Sequence, residues 1–202
     1  IIDGSKNYDG ILSSVSDPIN AETISKLSSS IKIIANGAVG FGNIDIKAAK
    51  EKGIAVTNTP DVLTDATADI QILLLLGASR KAYEGRLAAE TQSWKWSWDF
   101  LLGKQMSNKR LGILGMGRIG RAVAKRAKAF NMEIHYHNRS KLSAEMEDGA
   151  IYHKDIKSLF EKSEFLSINC PATPETNKLV NKKTLSFLKE NTVVGNAARG
   201  DI

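Results

Sequence analysis

The stretch LGILGMGRIGRAVAKRAKAF, Leu111 to Phe130, constrains this chain more than any other. It opens with an apolar run of strand length and passes through Gly115, Gly117 and Gly120, spaced G-x-G-x-x-G. It continues with apolar residues at helical spacing, among which Arg118, Arg121, Lys125 and Lys128 form a polar face. A buried strand that turns directly into an amphipathic helix is half of a βαβ unit, so a parallel sheet must follow. In that setting each glycine has a separate task. Gly115 permits the tight turn, Gly117 lets the backbone approach a pyrophosphate, and Gly120 allows close helix–strand packing. The unpaired N–H groups and positive end of the helix then favour an anion. The stretch therefore predicts a dinucleotide site, and a purely structural turn is the weaker reading.

The rest of the chain alternates in the same way. GILSSV, IKIIANG and IAVTN read as strands, separated by the helical patterns AETISKLSSS and IDIKAAKEKG, the latter closed by Gly53. From Leu63, LTDATADIQILLLLGASRKAYEGRLAAE is free of proline and rich in helix formers, which predicts one long helix with Thr64 or Asp65 as N-cap. TQSWKWSWDFLLGKQMSNK reads as an irregular connection. Its aromatic residues suit either docking on another surface or plugging the core, and both readings stay open. The strands RLGILGM, MEIHYHN, EFLSINC and TVVGNA and the helices DIKSLFEKS and NKKTLSFLKE complete the series. The expected fold class is α/β, with two Rossmann-like or flavodoxin-like parallel-sheet domains, both incomplete. Residues 1–61 would be part of a substrate domain and residues 62–202 a dinucleotide-binding Rossmann domain. The chain lacks an initiator methionine and stops just after an apolar strand. Both features are expected of an internal segment of a longer protein.

Composition narrows the class. The net charge is +6, which would suit nucleic acid, but in the cluster GRIGRAVAKRAKAF, where that charge is concentrated, the basic residues alternate with apolar ones at helical spacing and fit a solvated helix face with an anion-facing first turn. Small anionic ligands are the better match, and no nucleic-acid partner is expected. No apolar run approaches the roughly 18 residues of a membrane span, and the polar opening IIDGSKNYDG is unlike a secretory signal. With one cysteine, Cys170, no internal disulfide can form. That suits a reducing compartment, and a cytoplasmic location is expected. No metal site is expected.

Cofactor choice turns on IHYHNRSKL, Ile134 to Leu142. About 20 residues beyond the glycine turn, an Asp or Glu would bind an adenosine ribose 2′-hydroxyl. Here Asn138 stands at that place, followed by Arg139, Ser140 and Lys141. A carboxylate would repel a 2′-phosphate, whereas Asn does not. A charge-assisted bond from Arg139 would add about tenfold to hundredfold in preference. The reading favours NADP(H), with NAD(H) possible; an arginine with no ligand is the alternative.

Taken together, NGAVGFGNIDIKAAKEKGIAVTNTPDVLTDATAD, LGILGMGRIGRAVAKRAKAF, CPATPET and NAARGD resemble the D-isomer-specific 2-hydroxyacid dehydrogenases, especially the glyoxylate/hydroxypyruvate reductase branch. The similarity covers essentially the whole chain. It implies two α/β domains with a substrate and cofactor cleft between them, in a homodimer. AVGFGN resembles the loop whose backbone amides grip the substrate carboxylate, which implicates Val39 and Gly40. A Gly-flanked loop can turn consecutive N–H groups toward an anion, although the residues alone fit a plain turn equally well. By resemblance, Thr67 touches the cofactor, Arg118 and Ile119 fall in the phosphate-binding turn, and Cys170 and Pro171 pass the adenosine side. Ala197 makes a nicotinamide-side backbone contact, and Arg199 is the catalytic, substrate-binding arginine.

Arg199 also has a reading of its own. It follows an apolar strand, at the edge where open α/β sheets bind ligands. There a guanidinium can bridge the carboxylate and carbonyl of a 2-oxo acid and stabilise the developing alkoxide. In the family a glutamate and a general-acid histidine lie later in the chain. His135, His137 and His153 are read as structural or surface residues. Gly42 stands where the family often has an acidic residue, and alanines precede Arg199; neither departure removes a group the chemistry needs. The expected activity is reduction of a small 2-oxo acid, glyoxylate or hydroxypyruvate, to the D-2-hydroxy acid. A D-3-phosphoglycerate dehydrogenase-like enzyme and a nicotinamide-sensing co-repressor with little turnover are the alternatives.

Overall fold

Strands and helices alternate along the chain, and every paired strand runs parallel to its neighbour. The computed structural model describes residues 1–92 and 94–202; Ser93, within the predicted irregular connection, lies outside the described residues. Cα packing divides the chain into two units, Ile1–Leu63 and Thr64–Ile202. Among the described residues no helix is long and apolar enough to cross a membrane.

The first unit carries a short 3-10 helix (Asp3–Asn7), then β1 (Gly10–Ser13), α1 (Ala21–Lys26), β2 (Ile33–Asn36), α2 (Ile46–Glu51) and β3 (Ala55–Thr57), with sheet order β1-β2-β3. Both helices begin on polar caps: Asn20 Oδ1 accepts from the Thr23 N–H and Asp45 Oδ1 from the Ala48 N–H, each at 2.9 Å. These caps satisfy donors that the first helical turn leaves orphaned. Gly53, at φ 73°, ends the α2 segment in the left-handed conformation that favours glycine. Ile19, Ile24, Ile34, Ile44 and Ile54 fill the core.

The second unit begins with α3 (Thr64–Ser79) and α4 (Ala82–Thr91). It continues through β4 (Arg110–Leu114), α5 (Arg118–Lys128), β5 (Glu133–His137), α6 (Ala144–Glu147), β6 (Ile151–Tyr152), α7 (Ile156–Lys162), β7 (Phe165–Ile168), α8 (Lys182–Leu185) and β8 (Val193–Asn196). The sheet order is β6-β5-β4-β7-β8. The chain winds outward from β4 through β6, then returns to the other side of β4. That reversal is a Rossmann-type switch point, where ligands bind beyond the strand ends. The central strands β4 and β7 are almost wholly buried, which is why they read as continuous apolar runs.

The predicted single long helix is in fact two. Lys81 adopts a left-handed conformation at φ 53° and starts α4. The reason is tertiary. The Lys104 N–H donates to the Ser79 carbonyl at 2.7 Å, and Gly103 packs so closely there that a Cβ would lie 2.5 Å from Ser79 O. The returning chain thus captures the end of α3, although no proline or glycine marks the break. The helix also starts at Thr64, one residue earlier than the predicted cap allows. On α3, Ala68, Gln71, Leu75 and Ser79 are buried, while Ile70, Leu73 and Leu74 are exposed. The aromatic connection resolves against the core-plug alternative: Trp94, Trp96 and Trp98 are all exposed, Trp98 at 89%. They pair instead among themselves, Trp94 stacking on Phe100 and Trp96 meeting Trp98 edge-on.

Candidate functional site

The glycine turn follows β4, and the parallel sheet places the ends of β5, β7 and β8 along the same edge. Gly115 has φ 95°, and a Cβ there would lie 2.5 Å from Cys170 N and 2.7 Å from Cys170 Cα. The turn therefore abuts the loop after β7. At Gly120 a Cβ would stand 2.3 Å from the Gly115 carbonyl oxygen, so helix α5 sits directly on the turn that precedes it. At Gly117 a Cβ would meet nothing within 4 Å. That open space adjoins the α5 N-terminus, where Gly117 is an N-cap without a side-chain bond. The N–H groups of Gly117, Ile119 and Gly120 find no acceptor among the described residues. Arg118 is exposed and Ile119 half-buried. An open cradle of donors at a helix N-terminus fits a pyrophosphate.

The β5 end is tied to this turn by a contact that sequence reading did not foresee. Asn138 Oδ1 accepts from the Met116 N–H at 2.7 Å. The segment beyond it is pinned at both ends, because the Tyr152 hydroxyl donates to Asn138 O at 3.4 Å and the Leu142 N–H donates to Tyr136 Oη at 3.0 Å. Tyr136 in turn donates to Glu147 Oε1 at 2.5 Å; burial, then that carboxylate, pushes its hydroxyl up to about 12. Tyr136 and Tyr152 read as ordinary strand residues, and only the tertiary contacts give them this anchoring role. Between the anchors Arg139 and Ser140 are exposed and make no hydrogen bond among the described residues. Lys141 reaches Glu147 at 3.6 Å. Glu175 lies near enough to feel Arg139: hydrogen bonding from Thr173 first, and the guanidinium further, hold its carboxyl below the usual range.

Cys170 is buried, which pushes its thiol up and leaves it a packing residue beside Gly115 rather than a nucleophile. Pro171 is exposed, and its carbonyl accepts from Thr176 Oγ1 at 2.6 Å. After β8, Asn196 folds the chain back: its Oδ1 accepts from the Ala198 N–H and its Nδ2 donates to Arg199 O, both at 2.8 Å. Ala197 is half-buried, while Arg199 is exposed and donates to the adjacent Ala198 carbonyl at 2.9 Å. Thr67 is half-buried near the start of α3. The neighbouring Asp65 and Asp69 bind Arg126 of α5 at 3.0 and 2.5 Å, rather than the glycine turn.

The histidines form a separate structure. His135 Nδ1 meets His153 Nε2 at 2.8 Å, His135 Nε2 meets Glu133 Oε1 at 2.5 Å, and His153 Nδ1 meets Ser158 Oγ at 3.1 Å. His137 Nδ1 contacts the His153 carbonyl at 2.8 Å. This chain ties β5 to the β6–α7 connection.

In the first unit, Val39 and Gly40 lie in the loop after β2. The carbonyls of Ala38, Val39, Gly40 and Phe41 accept from Thr59 N–H, Asn58 Nδ2, Asn36 Nδ2 and Ile44 N–H at 2.9–3.1 Å. The N–H groups of Val39 and Gly40 have no acceptor among the described residues. Gly42 has open space where a side chain would stand.

Residues 72–202 match the family described as D-isomer specific 2-hydroxyacid dehydrogenase, NAD binding domain. The chain is 41% identical over 205 residues to the glycerate dehydrogenase of Hyphomicrobium methylovorum, covering 100% of this chain and 64% of that protein. It is 41% identical over 203 residues to the glyoxylate reductase of Thermococcus litoralis (strain ATCC 51850 / DSM 5473 / JCM 8560 / NS-C), covering 98% and 61%. A solved glyoxylate reductase from Paecilomyes thermophila superposes with a TM-score of 0.90 at 40% identity, over 98% of this chain and 61% of that one. The chain thus spans about three fifths of the length of the relatives it matches. The glycine turn at the switch point of a parallel sheet and a match over residues 72–202 lead to one conclusion: this chain belongs to the D-isomer-specific 2-hydroxyacid dehydrogenase family and carries its NAD-binding domain.

Proposed function

We propose that this protein is an NADPH-preferring reductase that converts a small 2-oxo acid, glyoxylate or hydroxypyruvate, to the D-2-hydroxy acid. The observation that carries this reading is the open donor cradle at Gly117–Gly120 with Asn138, Arg139, Ser140 and Lys141 at the neighbouring strand end. The cofactor would supply the hydride. Gly115, Gly117, Arg118, Ile119 and Gly120 would hold the pyrophosphate, and Thr67, Cys170, Pro171 and Ala197 would line the remainder of the dinucleotide site. Arg139, which makes no hydrogen bond among the described residues, is suited to clasp a 2′-phosphate. Residues 1–61 would supply the substrate domain and residues 62–202 the cofactor domain.

At the reacting centre the Val39 and Gly40 N–H groups would take the substrate carboxylate. Arg199 would bridge the carboxylate and the carbonyl oxygen, stabilising negative charge as the alkoxide forms. His135 and His153 are hydrogen-bonded to each other, so neither is offered as the general acid. Relatives named glyoxylate reductase and glycerate dehydrogenase support the substrate class. A homodimer is supported by the exposed apolar residues on α3 and α4, and a cytoplasmic location is part of the same reading.

The test is NADPH oxidation by the full-length protein with glyoxylate and with hydroxypyruvate, together with titrations of NADPH and NADH into wild type and Arg139→Ala. Turnover is expected, and the variant should lose about tenfold to hundredfold in NADPH affinity while NADH affinity holds. Cofactor binding without turnover on any 2-oxo acid would favour the co-repressor reading. An unchanged NADPH/NADH ratio would remove Arg139 from cofactor selection.

A further inference from the structure

We propose that Asn36 and Asn58 are positioning residues that orient the open N–H groups of the Val39–Phe41 loop by anchoring the carbonyls on the opposite side of the same peptide planes. The inference rests on the reading that this loop takes a substrate carboxylate.

No peptide bond in the described chain is cis. In a trans peptide the C=O of one residue and the N–H of the next lie in one plane and point in opposite directions. Holding the carbonyl therefore aims the N–H. Each peptide of this loop is held by a different donor. The Thr59 N–H takes the Ala38 carbonyl at 3.0 Å and so fixes the Val39 N–H. Asn58 Nδ2 takes the Val39 carbonyl at 2.9 Å and fixes the Gly40 N–H. Asn36 Nδ2 takes the Gly40 carbonyl at 2.9 Å and fixes the Phe41 N–H. None of these three N–H groups has an acceptor among the described residues.

Asn36 is itself held in place. It is 1% exposed, accepts from Ser13 Oγ at 3.0 Å, and exchanges amide contacts with Asn43 at 3.3 and 3.4 Å. Asn43 Nδ2 also reaches the carbonyls of Ser14 and Asp17 at 3.0 and 3.1 Å. A buried amide whose bonds are satisfied is rigid, so it can serve as a fixed post for the loop. The arrangement leaves several adjacent donors open with their partner carbonyls already occupied. That is a preorganised site for a planar anion rather than a turn that collapses on itself.

The test separates the clamp from its use. Asn58 is exposed, so Asn58→Ala should fold normally; Asn58→Ser keeps a donor; Asn36→Ser tests the buried post. In full-length wild type the Gly40 amide should be rigid, with an NMR order parameter of about 0.85, and should fall below about 0.6 in Asn58→Ala. Val39, held by Thr59, should not change. KM for glyoxylate should rise about tenfold with kcat and NADPH affinity nearly unchanged, because a preorganised binding group is lost. Asn58→Ser should recover part of the loss, and Asn36→Ser should loosen Phe41 more than Gly40. A Gly40 amide equally rigid in Asn58→Ala overturns the clamp. A loosened amide with KM unchanged overturns the positioning role. If glyoxylate fails to shift the wild-type Gly40 amide resonance while the order parameters behave as expected, the carboxylate reading of the loop fails, and the proposed role with it.

Discussion

Two glycines on one turn should fail in different ways when enlarged. At Gly117 an added Cβ meets nothing within 4 Å and φ is −78°, so Gly117→Ala should leave stability within about 0.5 kcal/mol of wild type. The same methyl occupies the space through which the phosphates would approach, so dinucleotide affinity should drop at least about tenfold. At Gly120 the Cβ would collide with Gly115 O at 2.3 Å, a backbone atom that cannot swing aside. Gly120→Ala should therefore lower the melting temperature, at a cost of about 1–3 kcal/mol or more. Thermal melts and cofactor titrations on both variants check the pair; equal melting temperatures would contradict the packing argument. The G-x-G-x-x-G spacing made these positions legible, because each glycine answers to a local geometric demand. Asn138 was legible by position but not by contact. Its carbonyl oxygen serves the Met116 N–H, a pairing across 22 residues that no local pattern encodes.

At the scale of elements, His153, which joins the β6–α7 connection to β5, should make stability depend on pH. Burial first, and His135 next, hold His153 below its ordinary value of 6.5; Lys162 and His137 act in the same direction and Asp155 opposes them. The unfolded chain therefore takes up a proton near 6.5 that the folded chain still refuses. The associated stability is present above 6.5 and is lost as pH falls through the lower folded value. Denaturant midpoints should decline between about pH 7.5 and 5.5, and His153→Gln should flatten that decline. A wild-type midpoint constant across that range would refute the account. The sequence made most elements legible through their apolar periods, but it concealed the break between α3 and α4. Local propensity favours one continuous helix there, and the bond from the Lys104 N–H to Ser79 O overrides it from a distant segment.

At the scale of the whole molecule, the outer face of α3 exposes Ile70, Leu73 and Leu74, with Leu73 at 61%, and α4 adds Tyr83 and Leu87. Apolar surface of this kind is commonly covered by a partner. If that partner is a second copy, sedimentation velocity should report a dimer for the full-length protein, and Leu73→Arg should shift it toward monomer. A monomeric wild type would remove the homodimer from the proposed function. By itself the sequence determined the parallel α/β architecture and the place of the glycine turn, because strand length, helical period and glycine spacing are short-range properties. Only the tertiary structure decided that α3 ends at Ser79, that the tryptophans face outward, that Asn138 ties two strand ends together, and that buried Asn36 and exposed Asn58 hold the loop after β2. Apart from the exposure of the tryptophans, each of these depends on a polar or steric contact between residues far apart along the chain or on opposite sides of a turn, and such contacts exist only once the sheet has brought their carriers together.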